Sequence, residues 1–248
     1  MNATGKRYVS SKLRKTAVLL KNKRIAPHIP ETKRFNMRTL NDMLDKYRMV
    51  YVKPVNGLKG IGVMRVEQTG NRYELRKGTS TNVFKDIHAL YRSLRKQTRK
   101  KPYLVQKGIR MIRYQGRPFD FRIMVQKNEK RNWEASGIVG RVAPPNRIVT
   151  NRSQGGKCLS ATTLLRPHME KSKIPTYLAS LFGLSRSIAR QFQQSYPRVR
   201  QLGVDIAVSG DLKPWILEVN TNPAITPFVK LGDKQMVRRI IRLRRLNG

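Results

Sequence analysis

Apolar positions recur along the chain with two alternating periods. Leu13, Ala17 and Leu20 stand at helical spacing within SSKLRKTAVLLKNK, residues 10–23, and the two prolines of IAPHIPET then break the pattern. This predicts a short helix followed by an extended crossing segment. MRTLNDMLDKY, residues 37–47, sets Leu40, Met43, Leu44 and Tyr47 on one helical face, and MVYVKP, residues 49–54, reads as a buried strand. IGVMRVEQ and RYELRKG flank Gly70-Asn71, a hairpin turn signal. A helix is expected over residues 82–98, with Val83, Ile87, Leu90 and Leu94 in register, and YLVQKGI, residues 103–109, is a strand closing that unit.

The second half begins with two strands, FDFRIMVQK and WEASGIVGRVA, followed by a polar loop through NRSQGGK. A long helix within residues 174–196, the strands GVDIAVS and PWILEVN, and a terminal helix from about Asp233 complete it. No fixed-period repeat occurs, and the mixture is that of an α+β domain.

Strict alternation in WILEVN puts Ile216, Glu218 and Asn220 on one side and Trp215, Leu217 and Val219 on the other. The short SGDLK connection makes GVDIAVS its hairpin partner, so Asp205 can meet Glu218 and Asn220. Two carboxylates and an amide oxygen, completed by water and phosphate oxygens, suit Mg²⁺. Ion pairing of the two acids with arginine or lysine explains the same pattern.

Composition makes those acids conspicuous. The 248 residues carry 53 Lys and Arg against 14 Asp and Glu, a formal charge of +39 spread over the whole length, which points to an anionic partner. With 39% hydrophobic residues the chain can bury a core. No stretch reaches the roughly 20 apolar residues of a membrane helix, and TAVLL is too short for a signal-peptide core, so a cytoplasmic protein is expected. Cys158 has no disulfide partner within the chain and is expected to be a small filler, and His28, His88 and His168 form no zinc pattern.

VKPVNGLKGIGV, residues 52–63, joins two strands through Gly57, Gly60 and Gly62. Its backbone N–H groups suit phosphate oxygens, with Lys53 as a point charge, although an ordinary turn has the same composition. It lacks the Walker A pattern.

Taken in order, KLRKTAVLLKNKRIAPHIPET, VYVKPVNGLKGIGV, YLVQKGI, DFRIMV, GIVGRVA, GVDIAV and LEVNTNP resemble the motif series of ATP-grasp enzymes. The likeness is to the YheC/YheD family, linked to the coats of Bacillus-type endospores, and the series is also similar to that of the ribosomal-protein glutamate ligases. It covers nearly the whole chain. The resemblance implies an ATP-grasp fold of two α+β lobes with the nucleotide between them: an N-terminal segment over residues 1–47, a small nucleotide-binding lobe over 48–110, and a lobe carrying metal and catalytic residues over 111–248.

It also implies roles. Lys12 and Lys53 match lysines that contact nucleotide phosphates, and the loop with Gly57, Gly60 and Gly62 matches the segment closing over them. Gln106, Lys107 and Ile109 match the adenine-binding hinge, with Lys107 where an acidic residue is usual. Arg141 and Asn151 match residues facing the transferred phosphoryl group and the acyl-phosphate; Arg122, two residues from Asp120 and on the same side of its strand, is counted with them as catalytic; and Asp205, Glu218 and Asn220 match the magnesium ligands. ATP-grasp ligases commonly carry a further N-terminal domain, whereas eleven residues precede Lys12 here. The resemblance therefore leaves a minimal substrate site, a site completed by a partner, or loss of ligation.

The implied reaction is ATP-dependent joining of a carboxylate, free or in a peptide, to an amine or similar nucleophile through an acyl-phosphate, with ATP and Mg²⁺. A role in spore coat or envelope formation follows from the family link. Two rivals stand beside it: a spore-associated structural protein that binds nucleotide without turnover, and a basic nucleic-acid binder motivated by the charge. An acidic peptide or anionic wall polymer accounts for the charge equally well, and the 7% aromatic content and lack of a recognition helix do not favour nucleic acid.

Overall fold

The computed structural model describes residues 11–56, 60–145 and 156–248. Two antiparallel sheets organise the chain. The first has strand order β1-β6-β2-β3-β4-β5, with β1 Thr32–Arg34, β2 Met49–Pro54, β3 Met64–Thr69, β4 Arg72–Lys77, β5 Ser80–Phe84 and β6 Tyr103–Lys107. One face carries Val50, Val52, Met64, Val66, Leu75 and Val105 against helices α2 (Met37–Tyr47) and α3 (Ile87–Thr98). The β2–β3 residues of the other face, Tyr51, Lys53, Arg65 and Glu67, alternate with these.

The α2 face expected from the sequence is the buried one, through Leu40, Met43 and Leu44. Its start is fixed by a capping box in which Asn36 and Thr39 satisfy each other's backbone N–H groups. The helix expected over residues 82–98 begins five residues later. Gly78, at φ 61°, turns the chain back into β5, where Val83 is 60% exposed, and the Asp86 side chain caps α3 by accepting from the Ala89 N–H. The alternation of an edge strand is readily mistaken for the first turn of the helix that follows it.

The second sheet runs β10-β9-β8-β11-β12, with β7 (Arg113–Tyr114) paired to the start of β8. Its strands are β8 Arg117–Lys127, β9 Trp133–Val142, β10 Lys157–Leu159, β11 Gln201–Val208 and β12 Pro214–Asn220. Along β8 the apolar set Phe119, Phe121 and Ile123 packs into the main core with α5 (Ile174–Ser195) and α4 (Ala161–Leu165). The intervening set, Asp120, Arg122 and Met124, faces the opposite way. Met124 joins a smaller cluster with Val139, Phe228 of α6 (Thr226–Leu231) and Ile240 of α7 (Lys234–Leu246). Cys158 packs beside that cluster.

Helix α1 (Lys12–Leu20) packs on α5, whereas β1 and α2 belong to the small sheet, so residues 11–47 are shared between the two lobes. The stripe Leu13, Ala17, Leu20 is not its buried face. Leu20 is 52% exposed, and Lys15, Val18 and Leu19 point inward, because α1 lies beside the gap between the sheets and turns lysines toward it.

The β11–β12 hairpin forms as expected, with one irregularity. Asp205 pairs with Glu218 but Ile206 pairs with Ile216, so Leu217 is an extra residue on β12. The bulge returns Ile216 and Val219 to the main core. Trp215, not Ile216, therefore shares a face with Glu218 and Asn220, a correction to strict alternation.

Candidate functional site

The two sheets enclose a cleft of about 860 Å³ measured to its open mouth. Lys53 enters from the end of β2 in the small lobe and Lys12 from the start of α1, which packs on α5; Arg141, Asp205 and Glu218 enter from β9, β11 and β12. Asp205 and Glu218 are partners within one hairpin, and the packing of the lobes brings Lys12, Lys53 and Arg141, from segments far apart in sequence, to the same cleft.

Lys53 Nζ donates to Gln106 Oε1 at 2.6 Å, and Gln106 Nε2 donates to Thr32 Oγ1 at 2.9 Å. The Gln106 side chain thus holds Lys53 in place. Burial pushes the Lys53 ammonium down to about 8; Glu218 opposes the shift, Lys12 adds to it, and Asp205 opposes it. Lys12 is also lowered by burial, against the pull of Glu218 and with the push of Lys15.

Glu218 is the acid that these cations share. Its Oε1 lies 3.3 Å from Lys15 Nζ and 3.9 Å from Lys12 Nζ. Lys15, only 6% exposed, was not singled out in the sequence, though it lies three residues from Lys12 on one helical face.

A second set of charges is buried more deeply. Arg141 donates through Nε and Nη2 to both oxygens of Asp120, at 2.7 Å each, and its Nη2 also lies 3.0 Å from Asp205 Oδ2. Arg122 donates through Nε to Asp205 Oδ1 and through Nη2 to Asp205 Oδ2 at 2.9 Å. Acid and base alternate: Asp120, Arg141, Asp205, Arg122. Burial raises the Asp205 carboxyl, but Arg122 and Arg141 outweigh it and hold the group below its ordinary range. Arg141 is likewise desolvated, and Asp120 and Asp205 overcome that cost and raise it. Space for the Arg122 side chain is made by Gly203, where a Cβ would stand 3.3 Å from Arg122 Cδ and 2.7 Å from Pro223 Cβ.

Among the described residues no three His, Cys, Asp or Glu side chains cluster around a common point. A hard cation held here would draw on two carboxylates and an amide, with other oxygens completing its shell. Glu218 fits, since lysines alone occupy it. Asn220 stands two residues on along the same face of β12, where its amide oxygen, not the buried unpartnered Nδ2 donor, is the atom that could ligate. Asp205 fits less freely, because guanidinium groups hold both of its oxygens. The donor set thus accommodates one cation at Glu218 and Asn220, with Asp205 on the near side.

The remaining expected residues divide. Gly60 lines the cleft, and both Gly60 and Gly62 take positive φ, 73° and 76°. A Cβ on Gly62 would meet the Tyr103 hydroxyl at 2.8 Å. Lys107 and Ile109 line the opposite end, where the Lys107 ammonium sits over the rings of Trp215 and Tyr47, 4.4 and 4.9 Å from their centroids. Gly57 and Asn151 lie outside the described residues.

Residues 2–244 match the family described as YheC/D like ATP-grasp. Among relatives, the chain is similar to the endospore coat-associated protein YheD of Bacillus subtilis (strain 168), 23% identical over 217 residues, covering 85% of this chain and 48% of YheD. It is similar also to the endospore coat-associated protein YheC of that strain, 24% identical over 216 residues, covering 85% and 59%. Two solved structures of the ATP-grasp ligase PsnB resemble it at 13% identity. One, complexed with a phosphomimetic variant of a minimal precursor, Mg and ADP, gives a TM-score of 0.54 over 95% of this chain and 59% of that one. The other, complexed with a minimal precursor, gives 0.56 over 96% and 62%. The chain spans about half to three-fifths of the length of these proteins. The likeness shows the fold: ATP-grasp, with mixed helices and two antiparallel sheets.

Proposed function

Because the chain belongs to the YheC/D-like ATP-grasp family, we propose that it binds Mg-ATP in the cleft between its sheets and acts as an ATP-dependent ligase. The observation that carries this reading is the convergence of Lys12, Lys53, Arg141, Asp205 and Glu218 on one cleft. Cations for phosphate and carboxylates for a divalent ion meet there. The complex of the similar ligase PsnB with Mg and ADP supports the choice of nucleotide and metal.

In this reading Lys12 and Lys53 take the nucleotide phosphates, with the backbone of Gly60 and Gly62 close by. Gln106 keeps Lys53 oriented, and the chain from Lys107 to Ile109 borders the base. Glu218 and Asn220, with Asp205 beside them, would hold Mg²⁺. The ion supplies charge neutralisation on phosphoryl oxygens. Arg141, fixed by Asp120, faces the transferred phosphoryl group, and Arg122 steadies Asp205. A substrate carboxylate would take the terminal phosphoryl group of ATP as the bond to its bridging oxygen breaks and ADP departs; an amine or similar nucleophile would then attack the acyl carbon, displacing phosphate and giving up a proton. Catalysis is then positioning plus charge stabilisation, with no side-chain nucleophile.

The substrate class supported by the charge is an anionic carboxylate, small or within a peptide; the relatives' names direct the search for it to the endospore coat or envelope. Purified protein incubated with Mg-ATP and a panel of acidic peptides, read by ADP release and product mass, tests binding and transfer together. No ATP binding by calorimetry in a folded sample would sink the reading.

A second reading, nucleotide binding without turnover, draws on one observation: both oxygens of Asp205 are held by arginine. ATP binding without ADP release across the panel would select it.

A further inference from the structure

The acids of this chain are few, and the cations within their reach are paired. Arg65 and Arg110 bond to Glu67, Arg76 to Glu74, and Arg239 and Arg242 to Glu129. Around one cavity no acid among the described residues is within reach. On the other side of the first turn of α1 from the cleft lies a pocket of about 1050 Å³ measured to its mouth. Arg14, Arg34, Arg95 and Lys101 line it, no acidic residue does, and none of the four forms an ion pair among the described residues.

The four come from four segments: α1, the edge strand β1, α3, and the turn from α3 into β6. Like charges gathered from separate segments around one cavity repel one another and cost stability, a cost that an anion in the cavity removes. A second observation points the same way. Thr98 lies on the wall, is 3% exposed, and its Oγ1 has no hydrogen-bond partner among the described residues. A buried hydroxyl without a partner is uncommon in a folded interior.

We propose that this pocket is a docking site for an acidic peptide segment. Its volume far exceeds what a single phosphate or carboxylate needs. Between the cations stand apolar surfaces from Leu13, Phe35, Val55 and Tyr103, which suit the side chains that separate acidic residues in a peptide. Three guanidinium forks match carboxylates bidentately. Ser11 caps α1 at the pocket edge, so the helix N-terminus adds favourable potential there. The site is distinct from the cleft, and the inference stands whether or not the cleft transfers phosphoryl groups.

The pocket also adjoins the nucleotide side. The Lys12 N–H donates to the Val55 carbonyl at 3.2 Å and the Val55 N–H to the Pro102 carbonyl at 2.9 Å. A peptide seated here lies next to the segments that carry Lys12 and Lys53, near enough for its chain to continue toward the cleft mouth.

The test must separate a built site from a diffuse basic surface. A fluorescent peptide of eight residues alternating glutamate and leucine is titrated, at 150 mM salt, against the full chain and two triple variants. Arg14→Ala/Arg34→Ala/Arg95→Ala removes the pocket cations, and Arg238→Ala/Arg242→Ala/Arg245→Ala removes an equal charge from the exposed face of α7. Thermal melts confirm that both variants fold. The proposal expects the pocket variant to bind at least tenfold more weakly and the α7 variant to stay within about threefold of the parent, with ATP affinity unchanged in both. Equal losses in the two variants overturn it, as does retention of affinity by the pocket variant. Displacement of the peptide by equimolar pyrophosphate or by a short oligonucleotide also overturns it, since the occupant is then a phosphate ligand and not a peptide.

Discussion

The Lys53 ammonium donates to the Gln106 side-chain oxygen at 2.6 Å, a bond that fixes the ammonium over β6, the strand with which β2 already pairs. Burial holds the free ammonium at about 8, against 10.5 in an unfolded chain. An anionic ligand restores the preference for the charged form, so ligand binding takes up a proton above that value. ATP affinity should therefore be flat below pH 8 and weaken by up to about tenfold per unit above it. Lys53→Arg, which stays protonated, should flatten the profile. Calorimetry between pH 7 and 10 measures both, and a parent protein with no loss by pH 9.5 contradicts the argument.

The same shift has a consequence for folding. Between pH 8 and 10.5 the unfolded chain holds a proton on Lys53 that the folded chain has released, so this group makes stability rise with pH across that window. Comparing the parent with Lys53→Met in urea at pH 7.5 and 10 should show the variant's advantage shrinking as pH rises.

Glu218 serves Lys15 and Lys12 now and a cation in the proposed reaction. Glu218→Gln keeps an acceptor for Lys15 but removes the charge. Mg²⁺-dependent ADP release should fall at least about 100-fold, because stabilisation by the ion is worth several kcal/mol. Glu218→Ala should melt lower than Glu218→Gln, since it leaves the buried Lys15 without a carboxylate or an amide. Turnover at the parent rate in either variant removes Glu218 from the metal site.

Asp205 lies between two guanidinium groups, and Arg122 touches only one end of the charged series. Asp205→Ala strands the buried Arg122 and leaves Arg141 with Asp120 alone, and should cost about 3–5 kcal/mol, or on the order of 10 °C in melting temperature. Arg122→Ala leaves Asp205 paired with Arg141 and should cost less. Circular-dichroism melts give the order directly; the reverse order would mean that Arg122, not Asp205, is the keystone of the series.

Salt should separate the cleft from the surface. Exposed charges are screened over about 8 Å at physiological ionic strength, so binding of polyglutamate should weaken steeply between 50 and 300 mM salt. ATP, enclosed by directed contacts, should lose much less. DNA that binds tightly at 150 mM salt, in a protein that does not bind ATP, would return the nucleic-acid reading.

Strand and helix positions were legible wherever one face is buried and the other is not. α2 shows this in Leu40, Met43 and Leu44, and β2 in Val50 and Val52. The α1 face was misread because its inward side carries Lys15, and a buried lysine has no apolar signature. β5 was absorbed into the following helix because an edge strand lacks a buried face to mark it. The cleft lysines and acids were legible through the order of their motifs, but the pairing of Arg141 with Asp120 was not. That contact joins residues twenty-one apart on neighbouring strands, and no local pattern fixes which acid an arginine chooses in so basic a chain.

The unpartnered residue on β12 marks where this strand can change length. Leu217 has no counterpart on β11, and without it the two strands would pair without interruption. Deleting it would leave Val219, Glu218 and Ile216 opposite Val204, Asp205 and Ile206, so both core contacts and the outward acid would survive. A sequence comparison that closes this position as a gap would therefore keep the acid of the cleft in register, whereas one that counts strict alternation through Leu217 would exchange the faces of Trp215 and Ile216.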